Sequence, residues 1–177
     1  MAQTVPRLLD AVYRFCIWGA GASIVVMSLI VPWGVFTRYV LGTGSNWPEP
    51  IAIMLMVIFT FLGTAASYRA GAHIAVAMLT DRLPPAMQKG ADLIANLIMA
   101  AVCIFVVVWG TKLVMGTWGQ SLDSLPWLPV GATYAPLPIG SFLTLLFVLE
   151  RIFIGPQWHR PIVSFGDAAA DFEAEVR

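Results

Sequence analysis

Between Glu49 and Arg69 the chain reads EPIAIMLMVIFTFLGTAASYR, and Pro50 to Tyr68 contains no charged side chain. Nineteen uncharged, mostly apolar residues form a helix about as long as the ~30 Å hydrocarbon core of a bilayer is thick. Three further intervals of the same kind lie outward from it. Arg14 and Arg38 bracket the first, Asp92 and Lys112 the third, and Asp123 and Glu150 the fourth. Four transmembrane helices therefore account for most of the 177 residues.

The composition agrees. Hydrophobic residues make up 59% and charged residues 11% of the chain, with a mean hydropathy of +0.80. A soluble domain carries about 25% charged residues, and a water-facing surface cannot be covered with so few. The fold class is an all-α integral membrane protein, with four transmembrane helices and a short amphipathic interfacial segment, HIAVAML, after the second. Residues 1–160 form one transmembrane domain, and residues 161–177 an acidic cytoplasmic tail. The formal net charge of zero gives no footing for nucleic acid as a partner. Cys16 and Cys103 sit in apolar runs without metal-ligand spacing and read as buried small hydrophobes.

The segment SLPWLPVGATYAPLP (124–138) is too rich in proline to be helical throughout. The fourth helix is expected to begin near Pro138, or slightly earlier near Tyr134. Pro32 is expected to bend the first helix or loosen its last turn.

Basic residues set the orientation. Arg7 and Arg14, then Arg69, Arg82 and Lys89, then Arg151, Arg160 and Arg177 fall on one side, against Arg38 and Lys112 on the other. The positive-inside rule puts both termini in the cytoplasm. Trp33, Trp47, Trp109, Trp118 and Trp127 then mark the outer interface, and Trp18 and Trp158 the inner one.

The span interiors contain no ionisable residue. Asn96, about one turn into the third span, reads as a donor or acceptor between helices, with a substrate contact as the alternative. Gly19 and Ser23, like Gly63 and Ser67, form small-xxx-small pairs that admit a second helix closely. Ser23, Ser28, Thr60, Thr64 and Ser67 read as packing or back-bonding residues. Arg69 and His73 are four apart and would share a helical face as an interfacial polar pair, with a pH switch or metal ligand as the alternative for His73. Arg38 and Glu49 flank the loop FTRYVLGTGSNWPEP (36–50), with Tyr39 and Trp47 beside them, and an ion pair across that loop is expected, with two independently solvated charges as the alternative. No nucleophile–base set or phosphate loop is present, so the chain does not read as an enzyme.

FTRYVLGTGSNWPEP, then FTFLGTAASYRAGAHIAVAML, resembles the DctQ-like small membrane subunit of tripartite ATP-independent periplasmic (TRAP) transporters. Phe36, Arg38, Tyr39, Trp47, Glu49, Phe61, Leu62, Gly63, Arg69 and His73 match that family's pattern in order. PWLPVGATYAPLPIGSFLTLL resembles the start of its fourth helix, with Tyr134, Pro138 and Gly140 in place. Pro50 stands where the family often has a second acid after Glu49.

The resemblance implies a multi-pass protein of a bacterial or archaeal inner (plasma) membrane. It also implies a large membrane subunit that carries the substrate and sodium sites and moves elevator-fashion. A periplasmic substrate-binding protein would deliver an organic anion such as a carboxylate. The small subunit would brace the static scaffold, needing no cofactor of its own, with the sodium coupling in the large subunit. Two other readings remain: a haem-type anchor of a respiratory complex, which needs axial ligands within the spans, and an autonomous small exporter, for which Glu49 is the one carboxylate in place.

Overall fold

A computed structural model describes residues 4–44, 46–70 and 85–154. Its helices are α1 (Thr4–Tyr39), α2 (Pro48–Arg69), α3 (Pro85–Thr117), the short α4 (Val130–Tyr134) and α5 (Pro136–Ile154). Strands β1 (Ser121–Leu122) and β2 (Leu125–Pro129) lie between α3 and α4. Four segments are long and apolar enough to cross a bilayer: Leu8–Tyr39, Pro48–Arg69, Gly90–Thr117 and Val130–Phe153. The expected interfacial segment at 73–79 and the acidic tail lie outside the described residues.

In lipid the hydrophobic effect does not drive helices together, so close packing depends on small residues and polar contacts. The chain supplies both. α1 packs along α2, α2 along α5, and α5 along α3, which leaves α1 and α3 on the flanks. The inward stripe of α1 is Tyr13, Cys16, Ala20, Ser23, Met27, Ile30, Gly34 and Thr37, all buried or half-buried. Its alternating spacing of three and four is the seam of two helices lying nearly along one another. Tyr13, Cys16 and Ala20 meet Leu62, Ala65 and Tyr68 of α2 and Phe147 and Val148 of α5 in one buried cluster. Leu29, Ile98 and Phe105 point away from it and are more than half exposed, as lipid-facing or partner-facing side chains are.

Two expectations concern proline. α1 runs unbroken through Pro32 and continues for two turns beyond it, so the last turn is not lost. A membrane helix tolerates the one missing N–H because the rest of its ladder is kept. The last helix, α5, begins at Pro136, between Tyr134 and Pro138 as expected, and the short α4 extends the apolar span back to Val130. Ala135 keeps helical angles (φ −55°, ψ −33°) between α4 and α5. Pro136 and Pro138 fall in the first turn of α5, where their missing N–H groups need no partner.

The remaining proline-rich residues form an antiparallel hairpin, with Leu122 opposite Leu125 and Ser121 opposite Pro129. Prolines are tolerated because both strands of a two-stranded ribbon are edges. The Val130 N–H donates to the Gln120 carbonyl at 2.8 Å and closes its base. At the end of α1, Gly42 (φ +66°) and Gly44 (φ +54°) turn the chain through left-handed angles that favour glycine. Thr43 folds back so that its N–H (3.2 Å) and hydroxyl (3.3 Å) both donate to the Thr37 carbonyl.

Candidate functional site

The strongest polar chemistry lies at one end of the bundle, on the last two residues of α2. Arg69 donates from Nε and Nη2 to the two carboxylate oxygens of Glu150 on α5, at 2.9 and 3.0 Å. Nη2 also donates to Oδ1 of Asp10 on α1 at 2.6 Å, and Nη1 to the Leu9 carbonyl at 3.2 Å. A guanidinium has five N–H donors in a fixed fork, and this geometry uses four of them. The rings of Tyr13 and Phe147 stand 5.2 and 5.4 Å from the guanidinium carbon. They also meet one another edge to face, 6.4 Å between centroids. The Arg69 side chain is 9% exposed, Glu150 3% and Asp10 29%.

Tyr68 works the other way. Its hydroxyl donates to Oδ1 of Asn96 on α3 at 2.7 Å. Arg151 of α5 lies over its ring, 5.7 Å from the centroid. Two consecutive residues of α2 thus reach all three other spans, Arg69 towards α1 and α5, Tyr68 towards α3 and α5. Such a knot binds helices: both oxygens of Glu150 and one of Asp10 are engaged by Arg69.

The other predicted residues fall as follows. Asn96 is buried and bonded between helices. The Ser23 hydroxyl donates to the Gly19 carbonyl at 2.7 Å, and a Cβ on Gly19 would lie 2.7 Å from Leu62 Cδ1. That pair therefore faces α2. Gly63 has nothing within 4 Å of such a Cβ, and Ser67 is exposed, so the second small pair meets no other helix among the described residues. Ser28, Thr60 and Thr64 bond back to carbonyls four residues earlier. His73 lies outside the described residues.

The expected Arg38–Glu49 ion pair does not form. Among the described residues the ion pairs are Arg69–Asp10 and Arg69–Glu150. Arg38 and Glu49 are exposed, on the rim of one groove at the opposite end of the bundle, near Tyr39 and Trp47. Sequence reasoning missed Asp10 and Glu150. Four spans put both at the same end of the bundle as Arg69, and only the fold brings them within bonding distance of it.

Comparison with known proteins places this architecture. Residues 27–155 match the family described as tripartite ATP-independent periplasmic transporters, DctQ component. The chain belongs to the DctQ family. A TRAP transporter small permease protein of Haemophilus influenzae is 25% identical over 127 residues, 72% of this chain and 78% of that protein. The sialic acid TRAP transporter small permease protein of Vibrio cholerae is 22% identical over 70% of this chain and 71% of its own length. The ectoine TRAP transporter small permease protein of Halomonas elongata is 24% identical over 62% of this chain and 58% of its own length. As a DctQ component the chain is a multi-pass inner-membrane part of a transporter and not an enzyme. The matched region of the DctQ family spans Glu150 as well as Arg69, but not Asp10.

Proposed function

We propose that this DctQ component braces the large membrane subunit of a TRAP transporter. That larger partner would carry out sodium-coupled uptake of an organic anion such as a carboxylate, delivered by a periplasmic substrate-binding protein. Both termini of the small subunit are cytoplasmic in this reading. The polar knot at Tyr68 and Arg69 then lies near the inner surface, and the turn at Gly42 and Gly44 and the hairpin near the outer one.

One observation carries the bracing role. Every charged residue of the described spans lies near a span end, and the most buried ones, Arg69 and Glu150, pair with each other. A route for an ion or an anion needs intramembrane polar groups free to bind it. This chain offers a rigid bundle whose outward faces on α1 and α3 are apolar, which suits contact with lipid and with another membrane subunit.

Reconstitution tests this. Liposomes containing the chain alone should show no sodium-driven uptake, and uptake should appear when the large subunit and binding protein are added. Uptake by the chain alone would overturn the bracing role and favour the autonomous exporter.

A further inference from the structure

A groove of about 460 Å³ runs between α1 and α2 at the end of the bundle away from the knot. Its volume falls within the roughly 300–1,000 Å³ of ligand clefts. Its lining is graded along its length. Arg38 and Glu49 stand at the mouth, and Val31, Ala52, Met27 and Met56 line the way inward. From Arg38 to Met27 is eleven residues of α1, which at 1.5 Å per residue is ~16 Å, close to half the thickness of a bilayer core.

The mouth lies at headgroup level. Tyr39 lines it, and Trp33 and Trp47 adjoin its lining residues Gly34 and Pro48 in the chain; the three are 80%, 51% and 37% exposed, as interfacial aromatic residues are. Its two charges are of opposite sign and form no ion pair with each other or elsewhere among the described residues. A charged, two-signed mouth above a narrow apolar channel is complementary to a zwitterionic amphiphile. An apolar transmembrane helix of a partner suits it less well, because it would leave Arg38 and Glu49 at the mouth without partners. The neighbouring groove shares Glu49 and Ile53 but has no cation in its lining, so it offers a phosphate no counter-charge.

We propose that the α1–α2 groove binds an aminophospholipid. The phosphate accepts hydrogen bonds from the Arg38 guanidinium, the primary ammonium donates to the Glu49 carboxylate, and one acyl chain lies along Val31, Ala52 and Met56. Phosphatidylglycerol lacks the amine, and phosphatidylcholine has a quaternary nitrogen with no N–H to donate. The inference rests on the groove and does not require the bracing role.

Native mass spectrometry of the full chain, released from detergent with the three lipids at equal concentration and equal acyl composition, tests it. Phosphatidylethanolamine should be retained about tenfold over the other two, the ratio that corresponds to ~1.4 kcal/mol. Glu49→Gln should abolish that preference and leave phosphatidylglycerol retention unchanged. Arg38→Gln should weaken all three, and Ala52→Phe should fill the channel and remove retention. Equal retention of the three lipids by the parent chain would overturn the proposal without recourse to any variant. So would a preference that survives Glu49→Gln. Loss of the bound lipid when the chain is co-purified with the large subunit would assign the groove to protein contact and overturn it as well.

Discussion

Replacing Arg69 by glutamine would leave the Glu150 carboxylate buried without its counter-ion. Losing one member of a buried pair costs about 3–5 kcal/mol, whereas an exposed pair contributes about 0–1 kcal/mol. Arg69→Gln and Glu150→Gln should therefore lower the thermal midpoint in detergent far more than Asp10→Asn, whose side chain is 29% exposed. Equal small shifts for all three would show that the knot is solvated. Tyr68→Phe is milder. It removes the donor to Asn96, a bond between membrane helices worth roughly 0.6–2 kcal/mol. A double-mutant cycle with Asn96→Leu should recover a coupling of that size, and an additive cycle would deny it.

At the level of elements, the glycines divide by what faces them. A Cβ on Gly140 of α5 would collide with the Cβ of Phe61 and lie 3.2–3.3 Å from the Phe61 backbone. Backbone cannot swing aside as a side chain can, so Gly140→Ala has to push α5 off α2. Overpacking of that kind costs about 1–3 kcal/mol. Gly63→Ala and Gly116→Ala meet nothing within 4 Å and should be neutral or slightly stabilising in the isolated chain, since alanine favours helix by up to ~1 kcal/mol over glycine. Unfolding of the three variants in one detergent checks the order. A loss of assembly with the large subunit by Gly63→Ala, with the isolated chain unharmed, would mark the Gly63–Ser67 stripe as the place where that subunit approaches.

For the whole molecule, the layout α1–α2–α5–α3 makes α2 and α5 the shared spine and leaves the two flanks free for lipid or partner. The proposed orientation, with both termini cytoplasmic, rests on the basic residues, eight against two. A cysteine at Thr43 should react with an impermeant thiol reagent in intact cells, and one at Ala169 only after permeabilisation. Cys16 and Cys103 are buried and should stay silent as background. The reverse pattern would invert the topology, and with it the side on which the knot and the groove are placed.

Span number and approximate span length were legible in the sequence, because they depend on local facts: uninterrupted apolar length and the cost of charge in hydrocarbon. The DctQ resemblance was legible for the same reason, being carried by short ordered motifs. The role of Asn96 could be anticipated, since a buried amide in lipid needs a partner, although its partner Tyr68 could not be named. Pairing is a long-range property. Arg69 and Glu150 are 81 positions apart, and Arg69 and Asp10 59. No periodicity links such positions, and sequence proximity pointed instead to His73 for Arg69 and to Glu49 for Arg38. Only the tertiary structure, by bringing the ends of α1, α2 and α5 together, decided which arginine is neutralised within the chain and which is left at a groove. The physical reason is that a guanidinium at a helix junction is satisfied by whichever carboxylates the helix packing brings within about 3 Å, and packing is set by the small residues along the whole seam.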